Sequence, residues 1–362
     1  MSDTYHPSLA LLARALSGRP VQVPHASPEA VTRLLQTALS HGVAAMLDRR
    51  VREGIVHGLA DQDRTTLHLA SRDQIAYDLR LTAATRKTID LLAKADIPVL
   101  LLKGTPVALR YYRAPYLRIR CDTDLFIRAA DTDTAAQVLA SNGYRLSGLD
   151  QGSYASKQFV ALSPSRQDLA VPFDIHWRLR NRVIFNHILQ FEECWGTRRP
   201  LPELGSNAYM LSPSQLLLHA CIHRIAHGRN TMRNRLIWLY DIHLITGGFS
   251  AEDCDRFQRL ALEKQVGMLC ADALVMGQYY FHTTYPAGYL TALTRNHHRE
   301  PSARLLHASK PRWVLADLLA LNRLHERLAF AAELLFPPHL AAATGWLPKT
   351  KAWTARLLSG IR

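Results

Sequence analysis

The sequence predicts an α+β fold in which a small mixed sheet, with helices on one side, lies between two helical regions. Apolar residues recur at helical spacing through residues 1 to 96 and again through residues 206 to 362. Between them, residues 97 to 205 contain short apolar segments bounded by glycine and proline, a pattern typical of strands. We therefore expect an N-terminal helical region over 1–96, an α+β core over 97–205 and a C-terminal helical domain over 206–362.

Helix-start signals place the N-terminal elements. Ser27-Pro28-Glu29 combines a capping hydroxyl, a proline and an acid, which predicts a helix running to about Leu47. Helical spacing then continues from about Gly58 through Leu92 without a proline, which predicts one long helix.

The core is predicted to alternate strands and helices. We expect strands over 98–102, 124–127 and 143–146, helices over 105–112 and 131–141, and an antiparallel hairpin of 157–162 with 169–177. In the C-terminal domain, Ser212-Pro213 predicts the start of a helix that ends at His227. Further helices are expected over 232–246, 251–263, 266–281 and 313–335, followed by a short basic amphipathic helix over 349–362.

The composition is that of a globular protein, with 48% hydrophobic and 20% charged residues in a chain of 362. Forty-four Lys and Arg against 30 Asp and Glu give a formal charge of +14. This charge favours an anionic partner, such as a nucleotide, a nucleic acid, an acidic peptide or a membrane surface, without choosing among them. A solvated basic surface with no dedicated partner is an equally open interpretation.

The cysteines and the N-terminus favour a cytoplasmic protein. The five cysteines include no CxxC pair, which indicates neither a disulfide framework nor a zinc ribbon. Asp3 is acidic where a signal peptide would be basic, and Arg14 interrupts the apolar run that follows. No run reaches the roughly 18 apolar residues of a transmembrane segment.

Three aspartates form the strongest candidate site. Asp122 and Asp124 lie two residues apart, so on a strand both carboxylates project from one face. Asp174 and His176 share a face of a later strand in the same way. If the two strands are neighbours, the three carboxylates converge and can hold divalent metals for phosphoryl chemistry. Alternatively, the acids pair with nearby arginines: Arg118, Arg120 or Arg178.

Lys103-Gly104-Thr105 is a candidate anion site. Gly104 permits close approach of a ligand to the backbone, and the start of the following helix offers free N–H groups to phosphate. The same tripeptide is also an ordinary strand-to-helix turn, and only its place before the two aspartates makes it informative.

The C-terminal domain offers less specific candidates. Histidines recur at i, i+4 and i+8 on one helix face: His219, His223 and His227. They can pack against other helices, or line the pocket of a substrate that accepts a transferred group, together with Asp241. They could also bind zinc, although the HExxH pattern is absent. Four arginines could hold a triphosphate or an acidic acceptor, or form a solvated helix end: Arg224, Arg229, Arg233 and Arg235.

Taken together, these motifs resemble the minimal nucleotidyltransferases of the DNA polymerase beta superfamily, in particular an uncharacterised bacterial branch. The matching segments are Leu101-Leu102-Lys103-Gly104, Arg118, Asp122-Thr123-Asp124-Leu125, Gly143-Tyr144 and Asp174-Ile175-His176-Trp177. The chain departs from the superfamily pattern at Gly104-Thr105, where Gly-Gly or Gly-Ser is usual, and in its longer loop from Tyr111 to Arg120.

The resemblance implies metal-dependent transfer of a nucleoside monophosphate from an NTP to a hydroxyl or phosphate of a small molecule, peptide or protein. It implies that Asp122, Asp124 and Asp174 bind Mg²⁺ or Mn²⁺, and that Asp174 can also activate the acceptor. Lys103, Gly104 and Thr105 would hold the phosphates, and Arg118 would neutralise transition-state charge. His176 would line the acceptor pocket with the C-terminal histidines.

Two other functions stay open at this point. One is a catalytically silent nucleotide-fold module that docks a biosynthetic partner or an acidic peptide. The other is an enzyme that modifies RNA ends, which the net charge favours although no nucleic-acid-binding motif is present and the basic residues form no single stripe.

Overall fold

The computed structural model describes residues 7–23, 28–148, 158–164, 169–179, 182–226 and 233–335. Ser27, His227, Arg229 and the predicted helix over 349–362 lie outside these described residues.

The N-terminal region is helical, as predicted, with two short parallel strands. Its elements are α1 (Pro7–Leu16), β1 (Val21–Gln22), α2 (Pro28–Ser40), α3 (Ala44–Arg52), β2 (Val56–His57) and α4 (Asp61–Ala93). Helix α4 confirms the predicted long helix. The helix predicted to reach about Leu47 instead ends at Ser40, because Gly42 adopts a left-handed φ of 71° and starts a turn into α3.

The core is a seven-stranded mixed sheet. Its elements are β3 (Leu100–Leu102), α5 (Gly104–Tyr111), β4 (Thr123–Phe126), α6 (Thr132–Ser141), β5 (Arg145–Ser147), β6 (Gln158–Leu162), β7 (Pro172–His176), α7 (Phe191–Gly196), β8 (Arg199–Pro200) and β9 (Tyr209–Met210). The strand order is β5-β6-β7-β4-β3-β9-β8. Strand β4 pairs antiparallel with β3 and parallel with β7, and β6 and β7 form the predicted antiparallel pair.

The centre of the sheet is covered on both faces. All residues of β3 and β4 are buried, although their side chains alternate between the faces. On one face Thr123 lies 3.1 Å from Thr85 of α4, measured between hydroxyl oxygens. On the other face Phe126 packs edge-to-face against Phe191 of α7. The expectation of helices on one side only is therefore wrong.

The C-terminal region is helical throughout its described part. Its helices are α8 (Pro213–Ala226), α9 (Leu236–Gly247), α10 (Ala251–Glu263), α11 (Gly267–Phe281), α12 (Tyr289–Thr294), α13 (Lys310–Leu319) and α14 (Leu324–Leu335). The single helix predicted over 313–335 is two helices, because the Glu326 carboxylate accepts the Arg323 backbone N–H at 3.1 Å and caps a new start. No described helix has the length and apolar character needed to cross a membrane.

The three regions share one hydrophobic core. Its buried apolar side chains extend from α1 through the sheet to α11. The sheet itself continues to β9, past the predicted domain boundary at residue 205. The division into three domains stays a prediction.

Candidate active site

Strand register brings two of the predicted carboxylates together. Asp124 of β4 lies directly opposite Asp174 of β7, and Phe126 lies opposite His176 two residues further along. Because side chains alternate on strands, Asp124, Asp174 and His176 project from the same face. One potential ligand atom from each of the three lies within 4.8 Å of the others.

Asp122 precedes β4 and lines the same cavity as this cluster. It is not one of the three residues whose ligand atoms lie within 4.8 Å of one another. The sequence therefore predicted the convergence of Asp124 and Asp174, whereas His176 takes the third position in the group and Asp122 lies beside it.

Lys103 lies next to the acids at the end of β3. Leu102 pairs with Asp124 across the antiparallel ladder, and the Lys103 ammonium donates a hydrogen bond to the Asp124 carboxylate. Lys103 adopts a left-handed φ of 54°, a conformation that non-glycine residues rarely take. Backbone outliers of this kind often accompany functional sites. The unusual turn places the ammonium beside the acids.

Helix α5 begins at Gly104, one residue before the predicted start. Thr105 does not cap the helix; it lies inside the first turn with 1% of its surface exposed. Its hydroxyl accepts a hydrogen bond from Arg120 at 3.2 Å and lies 3.4 Å from the Thr123 hydroxyl. The Thr105 hydroxyl is thus directed to buried side chains and not to the backbone N–H groups at the start of the helix.

Arg118 joins the core to the C-terminal helices. Its Nε lies 3.1 Å from both carboxylate oxygens of Asp241 on α9, and its Nη2 lies 2.7 Å from Oδ2. The Tyr112 hydroxyl donates to the same carboxylate at 2.8 Å. A side chain at Gly104 would place its Cβ 3.1 Å from Arg118 Nη1, so the glycine makes room for this guanidinium. Arg118 and Gly104 both line the cavity, while the Asp241 carboxylate is occupied by the network.

Arg120 and Arg178, the other two arginines considered as partners of the acids, do not pair with the aspartates of the site. Arg120, 3% exposed, donates to Asp78 of α4 at 2.5 Å, and Arg178 donates to the Gln190 side chain. The structure therefore does not support the alternative in which these arginines neutralise Asp122 and Asp124.

Burial and mutual repulsion separate the pKa values of the three aspartates. Burial, then the charges of Asp124 and Asp174, raises the pKa of Asp122 to about 6. Burial also raises the pKa of Asp174, with the charge of Asp124 adding to the effect. For Asp124 burial acts in the same direction, but the Lys103 ammonium and the His176 hydrogen bond outweigh it and hold the pKa well below its ordinary value.

His176 is oriented by Asp124, since its Nε2 lies 2.8 Å from Asp124 Oδ1. Burial lowers the pKa of His176, and the nearby Lys103 charge lowers it further, despite the aspartates. The neutral imidazole is thus favoured beside the carboxylates.

Gln158 is a site residue that the sequence reasoning missed. It begins β6, pairs with His176, and donates from Nε2 to Asp174 Oδ2 at 2.9 Å. In the predicted hairpin, period-two alternation places Gln158 on the same face as Asp174. A polar residue at that position was the signal that could have found it.

The site opens into a cavity of about 570 Å³ between the sheet and helices α8 and α9. Beyond the acids, His223, Arg235 and Trp238 line its helical side. His223 contacts the Trp238 ring edge-to-face at a centroid distance of 5.0 Å. His219 is 2% exposed one helical turn away and lines a smaller neighbouring cavity. Of the two described histidines of the stripe, His223 is the one in the main cavity.

The predicted basic cluster is divided by the fold. Arg224 is 1% exposed and pairs with Asp272 at 2.6 Å, and Arg233 donates to the Leu306 carbonyl. Neither forms a solvated helix end. Arg235 lines the main cavity.

The donor set fits a hard divalent cation. Carboxylate oxygens are the ligands that both Mg²⁺ and Mn²⁺ prefer. Asp124 and Asp174 offer such oxygens within one small cluster, and Asp122 offers another from the same cavity. Mg²⁺ sites of this kind use few protein carboxylates together with substrate phosphates.

Comparison with known proteins agrees with this geometry. A family model described as "Uncharacterised nucleotidyltransferase" matches residues 27–282, more than two thirds of the chain. A search of curated proteins finds no match to the sequence. The matched segment includes the whole sheet and the carboxylate cluster. The chain belongs to this nucleotidyltransferase family and is a transferase that acts on nucleoside triphosphates.

Proposed function

We propose that this protein transfers a nucleoside monophosphate from an NTP to a hydroxyl or phosphate acceptor in a reaction that requires Mg²⁺ or Mn²⁺. The observation that carries the proposal is the parallel register of β4 and β7, which sets Asp124 against Asp174 beside Lys103. Asp122, in the same cavity, completes the set of three carboxylates.

In this proposal Asp122 and Asp124 are the principal metal ligands and Asp174 completes the site. A divalent cation held by these residues would neutralise charge on the phosphates and help to orient them. The low pKa of Asp124 keeps that carboxylate ionised and available as a ligand across the physiological range.

Asp174 is the residue that we assign to activate the acceptor. Burial and the neighbouring Asp124 raise its pKa, so its carboxylate is a stronger base than an exposed aspartate. The Gln158 amide donates to one oxygen, Oδ2, and so orients the carboxylate. The other oxygen can then accept the proton of the attacking hydroxyl, which becomes the nucleophile toward the α-phosphorus as pyrophosphate leaves.

The turn at Lys103 and Gly104 and the Arg118 guanidinium are assigned to the triphosphate. Lys103 offers a point charge beside the carboxylates, and the first N–H groups of α5 offer hydrogen bonds. Arg118 lies against Gly104 with its orientation held by Asp241, so it can neutralise charge without reorganising. Thr105, buried against Arg120, supports the turn from within.

The direct test is incubation with each NTP, Mg²⁺ and panels of hydroxyl- and phosphate-bearing small molecules and peptides, read by mass for an added nucleotide. We expect a product mass that depends on Mg²⁺ and on the NTP. Asp124→Asn should abolish it, whereas Asp133→Asn, an exposed residue of α6, should not. Product formed equally well by Asp124→Asn would contradict the proposal.

A further inference from the structure

Among the described residues, the Lys and Arg side chains that line the main cavity pair, with one exception, with carboxylates of the protein. Four of the lining cations pair in this way: Lys103 with Asp124, Arg118 with Asp241, Arg120 with Asp78, and Arg182 with Asp317. These pairs hold the four side chains in place, and each of these cations already has a counter-charge within the protein.

Arg235 is the exception within the described part of the chain. No carboxylate there lies within 4.0 Å of its guanidinium, and its buried Nε has no hydrogen-bond partner among those residues. The guanidinium carbon lies 5.3 Å from the centroid of the Trp238 ring. Burial, then the charge of Arg118, lowers the pKa of Arg235, as expected for a cation that lacks a counter-charge.

The position of Arg235 is imposed from the N-terminal region. The backbone N–H of Leu236 donates to His41 Nδ1 at 3.1 Å, and that of Ile237 donates to the His41 carbonyl at 3.3 Å. A Cβ at Gly42 would lie 3.2 Å from Arg235 Nη2. The turn between α2 and α3 therefore holds the start of α9 and leaves room for the guanidinium.

Arg235 also belongs to a different part of the cavity from the acids. It comes from the start of α9 on the helical side of the cavity, whereas Asp124 and Asp174 lie on the sheet and Asp122 directly precedes β4. The neighbouring charge that lowers the pKa of Arg235 most is that of Arg118. In the proposed function the phosphates of the NTP donor bind near the aspartates. Arg235 is therefore available to bind a second anionic ligand.

We propose that Arg235 binds an anionic group of the acceptor, a phosphate or a carboxylate, so that the acceptor substrates of this transferase are anions. This inference rests on the proposed function and specifies its substrate class. The planar fork of arginine donates two parallel hydrogen bonds to either kind of anion, and lysine cannot reproduce that geometry. The Trp238 ring lies beside the guanidinium and offers an apolar surface for the body of the acceptor.

Calorimetry tests the proposal with inorganic phosphate and acetate as probes. Each is titrated into the protein presaturated with Mg²⁺ and a non-hydrolysable NTP analogue, and into the protein alone. We expect Arg235→Gln to weaken binding of the preferred anion by about tenfold or more and Arg235→Lys to restore it only in part. The affinity for the Mg²⁺–NTP analogue should change by less than about twofold. Arg110→Gln, an exposed residue outside the cavity, is the matched control.

Four outcomes separate this inference from the proposed function. Equal anion binding by wild type and Arg235→Gln, or no binding of either anion by wild type, would overturn the inference. If Arg235→Gln lost as much affinity for Mg²⁺–NTP as for the anion, Arg235 would be assigned to the donor triphosphate, and the inference would be overturned. Failure of the wild type to bind the Mg²⁺–NTP analogue would count against the proposed function. Anion binding by the wild type and Arg235→Gln without the analogue would still test the role of Arg235. Thermal unfolding of each variant confirms that it is folded.

Discussion

Arg118 and Asp241, 123 residues apart in the chain, form a two-pronged ion pair in which Nε and Nη2 of the arginine meet the carboxylate. Their side chains are 11% and 7% exposed. The pair joins the loop before β4 to α9, and the Tyr112 hydroxyl donates a further hydrogen bond to the same carboxylate. The contact therefore fixes both walls of the cavity relative to one another.

Breaking this pair on one side should destabilise the protein. Asp241→Asn leaves the buried Arg118 guanidinium uncompensated, for which we expect a loss of about 3 kcal/mol in the free energy of unfolding. Tyr112→Phe removes one neutral donor to the same carboxylate and should cost about 1 kcal/mol. Denaturant unfolding measures both values. The double variant Arg118→Leu with Asp241→Leu should lose less than Asp241→Asn alone, and equal losses would show that the ion pair is not the cause.

Asp122→Asn should stabilise the metal-free protein at pH 7.5. The native pKa of about 6 lies above the ordinary value of 3.8, so the ionised carboxylate disfavours the folded state at pH values above both. The difference corresponds to about 3 kcal/mol, which partial exposure reduces to about 1 to 2 kcal/mol.

The advantage of Asp122→Asn should shrink as the pH falls from about 6 toward 3.8, because the native carboxylate takes up its proton before the unfolded one does. Denaturant unfolding at pH 7.5, 5 and 4 in the presence of a chelator measures this trend, with Asp133→Asn as the control. A stabilisation that stays constant across these pH values would contradict the assigned cause.

Gly42→Ala should destabilise the protein by about 2 kcal/mol, because the left-handed φ of 71° is unfavourable for alanine. The added Cβ would also lie 2.9 Å from Ile119 Cγ2. Gly18→Ala tests the conformational part alone, since its φ is 77° and a Cβ at that position would have no neighbouring atom within 4 Å. Denaturant unfolding should show a smaller loss for Gly18→Ala; equal losses would mean that the space at Gly42 is not restricted.

Asp174→Asn should lower kcat by a factor of about 10² to 10⁴ and leave KM for the NTP nearly unchanged, as expected for loss of a base that acts in the transition state. Gln158→Leu should lower kcat by about tenfold, since it removes only the hydrogen bond that orients the base. Pyrophosphate release with an acceptor identified by mass provides the measurement. An effect of Asp174→Asn confined to KM would exclude the assigned role.

Local patterns were sufficient to predict strands β4 and β7 and the faces on which their acids lie. Period-two alternation placed Asp124 on one face of β4 and Asp174 with His176 on one face of β7, and the register confirms their juxtaposition. The start of α5 was predicted one residue late, because Lys103 adopts a left-handed conformation that sequence patterns assign to glycine.

Contacts between distant segments escaped the sequence reasoning. Arg118 was predicted as a site residue from a family motif. Its partner Asp241, however, lies on a helix whose packing against the core no local pattern specifies. In the same way, Arg235 owes its place to the turn at His41 and Gly42, nearly 200 residues earlier in the chain. Such side chains are positioned by tertiary packing, so their environment becomes visible only in the folded chain.

The central claim is that the carboxylate cluster of β4 and β7 holds the divalent cation of a nucleotidyl transfer site. Electron paramagnetic resonance of Mn²⁺, titrated into the protein with and without NTP, measures this binding directly. We predict that the wild type binds Mn²⁺ more tightly in the presence of NTP, that Asp124→Asn weakens the binding by at least about tenfold, and that Asp133→Asn leaves it unchanged. Equal Mn²⁺ binding by the wild type and Asp124→Asn would contradict the account.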